Sequence, residues 1–465
     1  MTQTFESMKQ LVDLKNGLVS RDIFVDPDIY QQELEQVFAR SWLFIGHESQ
    51  IPNPNDFFVS RMGEESVILT RTRQGDIQVL LNTCMHRGMK VCRYDEGNTP
   101  VFSCPYHGWS YSTDGKLVSV PGELIGVPQF ATAYHGELEK ENWGLVAVPK
   151  MYNYKGLIWA CWDKNAPDFI DYLGDFSLYL DDLTASRDGR DGGSEAIVGV
   201  QKWRLPANWK YPVENASDAY HGISHRSEVI IGTGPGGPGS ERHARSGLGL
   251  RRGSLYFLGR GHHTIGGLPT PDYDWFPDFI SPWDLDDNLK LVTEYFEEVK
   301  AKRKENVGDK LVYNGGVASV FPNMSFHSRF PREIALWNPA GAQMTEGWHW
   351  YLVDKDMPRQ VKDLLRRYLI RYSGPPGFTE EDDMENWNYA TASSHGTIAQ
   401  RHKFHYGQGM GYEETPPPNI KGATFTPDVS EQNARGFLGR WSEMMDAKTW
   451  DELWPPQGEE DKRSQ

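Results

Sequence analysis

Apolar positions between Asp26 and Trp42 recur at helical spacing in YQQELEQVFARSW, which predicts a short helix near the N-terminus. The period then changes. From Phe57 to Trp162 short runs at Ser66–Arg71, Ile77–Leu81, Val101–Ser103, Leu145–Val148 and Leu157–Trp162 are punctuated by Gly, Asn, Asp and Pro. That pattern predicts a small all-β domain of roughly a hundred residues. Beyond Asp163, strand-like pieces at Ile197–Arg204 and Leu255–Gly259 alternate with helical stretches at Leu285–Lys304 and Pro358–Tyr372, so the larger part reads as α+β. Gly232–Ser240 and the region of Thr415–Pro418 are loops by composition, and the tail from Pro455 is polar. The expected organisation is a helical segment at 1–40 packing on the larger domain, the β domain at 41–162, and the larger domain at 163–465.

A chain of 465 residues exceeds what one core usually serves, which agrees with two domains. No apolar run is long enough for a bilayer, and Met1–Gln10 has neither a signal-peptide core nor a transit-peptide bias, so a cytoplasmic protein is expected. The formal charge of −16 argues against a nucleic-acid partner, because phosphate binding needs a basic footprint. Four cysteines are too few for a disulfide scaffold, and two of them stand beside histidines.

Those two define the first constellation. The segment NTCMHRGMKVCRYDEGNTPVFSCPYHGWSYSTDG holds Cys84-x-His86 and, seventeen residues later, Cys104-x-x-His107. A Rieske-type two-iron, two-sulfur cluster needs two Cys on one iron and two His on the other, so two clasps with one of each fit it. Gly88 and Gly108 let backbone approach the cluster, and Pro105 stiffens the second clasp. A structural zinc site is the duller reading, but zinc spacing usually groups Cys with Cys and His with His. Cys92 and Cys161 read as buried hydrophobes without a role.

In the second constellation, NWKYPVENASDAYHGISHRSE, Glu214, Asp218, His221 and His225 recur at intervals of four, three and four. On a continuous helix they share one face. Two histidines plus one carboxylate make the facial triad of a non-heme Fe(II) oxygenase. The carboxylate is sought in GFTEEDDMENW, where Thr379 and Asp382 resemble a capping box, which leaves Asp383 for the metal. The bland alternative is an acidic run that complements a helix N-terminus. Gly232–Gly237 formally satisfies G-x-G-x-x-G, but Pro235 and Pro238 break any following helix and no acidic residue appears between Glu241 and Asp272, so nucleotide binding is not expected. Arg87, Lys90 and Arg93 form a basic group beside the first clasp, suited to steering an acidic electron donor.

With these motifs in this order, and with NWK…EN…D-x-Y-H…H and GPPGF…EDD…ENW, the chain resembles nearly end to end the large catalytic alpha subunit of Rieske non-heme iron aromatic-ring-hydroxylating dioxygenases. This is the family of the naphthalene, biphenyl and phenylpropionate dioxygenases. The resemblance implies a small all-β Rieske domain inserted in a helix-grip catalytic domain with an antiparallel sheet. It also implies a [2Fe-2S] cluster and a mononuclear Fe(II) held by His221, His225 and Asp383, with Asn215 close to the iron. The implied activity is cis-dihydroxylation of an aromatic ring with dioxygen and electrons from NADH, relayed by a separate ferredoxin or reductase, because the chain has no flavin or nicotinamide fold. Monooxygenation or demethylation, and an electron carrier without oxygenase activity, are the alternatives. The implied assembly is a homotrimer, with a small beta subunit, in which one chain's cluster faces the next chain's iron and Asp218 bridges them. Three residues separate His221 from His225, where the naphthalene and biphenyl enzymes have four or five, so a more regular ligand helix is expected. Ala216, Ala219 and Gly222 are small and leave room near the iron, and by resemblance Val317, His327, Trp337 and Ser373 also line the substrate pocket.

Overall fold

The structure is a computed structural model, and it describes residues 7–121, 134, 138–197, 199–216, 218, 221, 224–225, 254–266, 289–308, 315–328, 332–375, 377–416, 424–426 and 429–454. The chain forms two compact units. One is Ala39–Lys164, and the other joins Met1–Phe38 to Asn165–Gln465, so the first is an insertion in the sequence of the second.

Among its described residues the inserted unit is all β apart from short 3-10 turns, as its alternating runs predict. Ile77–Leu81, Glu65–Arg71, Asp56–Met62 and Glu96–Asn98 form one antiparallel sheet, in that order. Leu117–Ser119, Ser110–Ser112 and Val101–Ser103 form a second, and Lys150–Tyr154, Leu157–Cys161 and Leu43–His47 a third. The hairpin from Met62 to Glu65 turns at Gly63, whose φ of 62° suits a residue without Cβ. The expected strand Leu145–Val148 is not formed. Only Ala147 bridges to Leu80, while Val146 O accepts from the Leu81 amide and the Val148 amide donates to Val79 O, so the segment runs alongside without building a ladder. Ile68, Leu80, Phe102, Trp109 and Tyr111 pack with Cys84 and Cys104 in one buried cluster, which sets the two cysteines on a rigid floor.

The large unit centres on an antiparallel sheet of nine strands among the described residues. Its path runs Ser194–Ala196, Thr345–Asp354, Glu333–Pro339, Met324–His327, Gly315–Val320, His263–Gly266, Ser254–Phe257 and Thr424–Thr426, and Gln201–Leu205 also pairs with Thr345–Asp354. Helix Gln432–Asp446 packs on the strands Ser254–Phe257 and His263–Gly266, and Arg359–Tyr372 on Thr345–Asp354 and on helix Phe378–Ser394. The fold is α+β, as expected. Register places side chains, since directly opposed residues share a face. Glu333 opposes His327 and Tyr351, Ala335 opposes His349, and Trp337 opposes Gly347, which opposes Trp203 in turn. This face therefore carries imidazoles, a carboxyl and indoles where a plain core would carry aliphatics.

The N-terminal helix Pro27–Glu33 is capped by Asp26, whose side chain accepts from the amides of Asp28 and Ile29. It ends on a buried carboxylate. Glu33 accepts from the indoles of Trp209 and Trp441 at 2.9 and 2.8 Å and is ion-paired with the fully buried Lys210. Removing one partner of such a pair costs about 3–5 kcal/mol, because the other charge is left buried alone. The pair thereby pins the start of helix Lys210–Asn215, which leads into the second constellation.

Candidate metal centres

Within the inserted unit the two clasps are built alike. The Cys84 amide donates to Met89 O at 2.8 Å and the Gly88 amide to Cys84 O at 2.9 Å; Cys104, Trp109 and Gly108 repeat the pattern at 2.8 and 2.9 Å. The turn needs a left-handed residue at its fourth position, and Gly88 and Gly108 supply it with φ of 71° and 72°. Both cysteines are buried, the imidazoles of His86 and His107 lie 4.6 Å apart, and His86 stacks on Trp109 at 5.0 Å. Tyr111 Oη lies 3.3 Å from Cys84 Sγ and accepts from the Met85 amide at 3.2 Å. Burial raises the Cys104 thiol, and the nearby Cys84 adds to it, while burial and the positive charges on His86 and Arg87 lower His107. A thiol raised in this way, as Cys104 is, ionises far more readily once a metal is bound. His86 Nδ1 is buried without a partner, so two thiols and two imidazoles stand together and fit a mixed Cys/His cluster. Arg87, Lys90 and Arg93 are exposed. Cys84→Ser or His107→Ala is expected to abolish the visible spectrum and the reduced-state paramagnetic signal of such a cluster; a variant that retains either signal contradicts the assignment.

In the large unit, His221, His225 and Asp383 bring one ligand atom each within 4.8 Å of one another. His221 Nε2 is 3.9 Å and His225 Nε2 3.7 Å from the carboxylate oxygens of Asp383. Asn215 Nδ2 donates to Asp383 Oδ2 at 3.2 Å, and Ser224 Oγ to Asp383 Oδ1 at 3.4 Å. Burial pushes Asp383 up to about 6 against the pull of His221, and His221 is itself raised because Asp218 and Asp383 outweigh its burial. Asp218 Oδ2 stands 3.8 Å from His221 Nδ1, on the ring side away from Asp383. Asp218 also lines a cavity of about 330 Å³ with Glu214, Asn215, Trp387, Tyr406 and Glu431. There the Tyr406 hydroxyl donates to Glu214 at 2.8 Å, and burial pushes Glu214 up to about 8.

Two expectations are corrected. The ligand helix is not regular: α-helix stops at Asn215, and the described residues from Ala216 to His225 form turns and 3-10 geometry. The Asp218 amide bonds Asn215 O and the Ser224 amide His221 O, both three residues back, and Ser224 Oγ also takes the His221 carbonyl. Four-residue periodicity therefore does not align Glu214, Asp218, His221 and His225 on one helical face. The Thr379 capping box is absent too. Helix Phe378–Ser394 starts after Gly377 with no side-chain cap, so Thr379 lies inside it. Asp383 faces inward because Glu380, Asp383 and Trp387 fall at i, i+3 and i+7, while Glu381 and Glu385 are exposed and Asp382 is half-buried.

Of the expected pocket residues, Val317 opposes His327 across two strands, Trp337 and Ser373 are buried, and Ala216 is half-buried directly after helix Lys210–Asn215. Ala219 and Gly222 lie outside the described residues, as does Gly232–Ser240. Sequence reading missed Glu333, His349, Glu380, Trp203 and Trp387. For His349 the signal was the strand alternation of TEGWHWYLVD, and for Glu380 and Trp387 the i, i+3, i+7 spacing across EEDDMENW.

Paired Cys/His clasps together with a two-histidine, one-carboxylate group define a Rieske-type non-heme iron protein. Comparison with known proteins agrees. Residues 41–130 match the Rieske [2Fe-2S] domain, and residues 193–446 match the catalytic domain of the ring hydroxylating alpha subunit. The alpha subunit of biphenyl 2,3-dioxygenase from Rhodococcus jostii is 36% identical over 95% of this chain and 92% of its own. The biphenyl dioxygenase alpha subunit of Metapseudomonas furukawaii is 36% identical over 97% and 96%. A crystal structure of a naphthalene 1,2-dioxygenase mutant bound to phenanthrene superposes with a TM-score of 0.81, at 28% identity and 95% coverage of both chains. The chain belongs to the ring-hydroxylating dioxygenases, as a catalytic alpha subunit whose cofactors are a Rieske cluster and a mononuclear iron. Among the described residues no helix is long and apolar enough to cross a membrane.

Proposed function

We propose that this chain is the terminal oxygenase that adds both atoms of dioxygen to an aromatic ring as a cis-dihydrodiol. The convergence of His221, His225 and Asp383 on one point carries the reading, since three protein donors leave open positions at a metal. In this reading Cys84, His86, Cys104 and His107 hold the cluster, and the three converging residues hold the iron. When bound, the cluster supplies electrons one at a time and the iron activates dioxygen. The chain's own work is positional. Asn215 donates to one oxygen of Asp383 and the Ser224 hydroxyl stands 3.4 Å from the other, which orients its carboxylate. Asp218 faces the outer nitrogen of His221 and favours the tautomer that leaves Nε2 as a donor to metal.

Electrons reach the chain from NADH through a separate ferredoxin or reductase. The assembly is a homotrimer in the cytoplasm, with a small beta subunit, and one chain's cluster histidine, His86 or His107, meets Asp218 of the next chain. The cavity that Asp218 lines supports that contact, because it leaves room for an approaching imidazole. Turnover of an arene under labelled dioxygen is expected to give a diol carrying both labelled atoms. A product with one labelled atom would establish monooxygenation instead.

A further inference from the structure

Glu333 is a buried carboxyl and Glu380 a largely covered one, with 12% of its side chain exposed; they face the same interior, and among the described residues neither forms a salt bridge to lysine or arginine. The nearest arginine in sequence, Arg332, is committed to Asp354 at 2.6 Å. Among the described residues Glu333 meets the Ser373 hydroxyl and, at 3.9 Å, His327, and Glu380 lies 4.0 Å from His349 Nε2. Among the described residues Glu333 Oε2 and Glu380 Oε1 have no hydrogen-bond partner. His349 is fully buried, and among the same residues neither of its ring nitrogens is hydrogen-bonded. Buried carboxyls and imidazoles are ordinarily satisfied, so a group of them left open is a recognition feature.

Aromatic rings wall the group. Trp203 lies 4.7 Å and Trp337 5.7 Å from His349, and Trp337 meets Trp387 at 5.4 Å. Gly347 makes this packing possible: a Cβ there would stand 2.8 Å from the Trp203 ring and 3.0 Å from that of Trp337. The group also adjoins the metal centre, since Glu380 and Trp387 lie one turn before and one turn after Asp383 on the same helical face.

We infer that the aromatic substrate carries a protonated nitrogen, seated between Glu333, Glu380 and His349 inside the walls of Trp203, Trp337 and Trp387, with its ring directed toward His221, His225 and Asp383. The inference rests on the oxygenase reading and deepens it to a substrate class. A cationic nitrogen supplies the positive charge that the two carboxyls lack, donates to their open oxygens and to an imidazole nitrogen, and lies against indole faces, which attract cations. The open indole N–H groups of Trp337 and Trp387 would by themselves suit an anion. An anion here would face two carboxyls with no lysine or arginine among the described residues to separate them.

The test is equilibrium binding to the anaerobic holoenzyme, followed by calorimetry, with three probes of matched ring and chain: 2-phenylethylamine, 2-phenylethanol and 3-phenylpropionate. The amine is expected to bind about tenfold or more tightly than the alcohol, and the acid most weakly of the three. In Glu333→Gln the amine's advantage is expected to fall to about twofold or less, with the alcohol's affinity unchanged; Glu380→Gln provides a second variant. Equal or tighter binding of the alcohol or the acid to the unaltered protein overturns the inference, as does an undiminished amine preference in both variants. Failure of the oxygenase reading would look different, because no arene of any charge would then gain labelled oxygen while the ranking by charge could persist.

Discussion

Asp383→Ala is expected to purify with the full visible spectrum of its cluster, without mononuclear iron, and with no detectable oxygenation. Asp383 is the only carboxylate in the converging group, and it is buried against two imidazoles, so its loss leaves two neutral donors that hold iron weakly. The cluster clasps belong to a different folded unit and keep their own hydrogen bonds. Asp382→Ala is the control. It sits half-buried on the same helix, one residue away and about 100° round the axis, and is expected to keep both iron and turnover. Iron content and product would be measured together in both variants. Turnover that survived in Asp383→Ala but not in Asp382→Ala would mean the helix presents the other aspartate.

The second large effect is expected at Asp218. It is not needed to complete the two-histidine, one-carboxylate group, yet it stands 3.8 Å from the outer nitrogen of His221 and opens into a cavity on its other side. A carboxylate can accept N–H bonds from two imidazoles at once, and in the proposed assembly these belong to His221 and to a cluster histidine of the neighbouring chain. Asp218→Ala should keep both metals and the oligomer, take up an electron at the cluster, and fail to use it. A role confined to the tautomer of His221 would instead weaken iron binding without isolating the cluster. Single-turnover oxidation of the pre-reduced cluster, with substrate and dioxygen, separates the two, and near-normal oxidation would show that this carboxylate is not the route.

The cluster clasps were legible because their chemistry is local. Cys-x-His and Cys-x-x-His each fall within one turn, and the repeated Gly four residues after each Cys marks the left-handed position that the turn requires. The inserted β unit was legible through its alternation, apart from Leu145–Val148, where apolar residues run along a strand without pairing fully. The local geometry around His221 was not legible. Spacing of four, three and four implied a continuous helix, whereas α-helix stops at Asn215 and the described residues beyond it make three-residue hydrogen bonds. Asp383 was chosen through a cap that does not form, and it is the helical face shared with Glu380 and Trp387 that turns it inward. Glu333 and His349 went unread because a polar residue in a strand looks solvent-facing until register shows that a helix-covered face holds it.

The most direct test of the account is the iron and acid-labile sulfide content of the purified chain, read together with its spectrum. The account predicts two sulfides and three irons per chain, two in a mixed Cys/His cluster and one removable by chelation without loss of the cluster spectrum. Two irons that account for the whole content, with no further iron taken up on reconstitution, would make the chain an electron carrier and contradict the oxygenase reading.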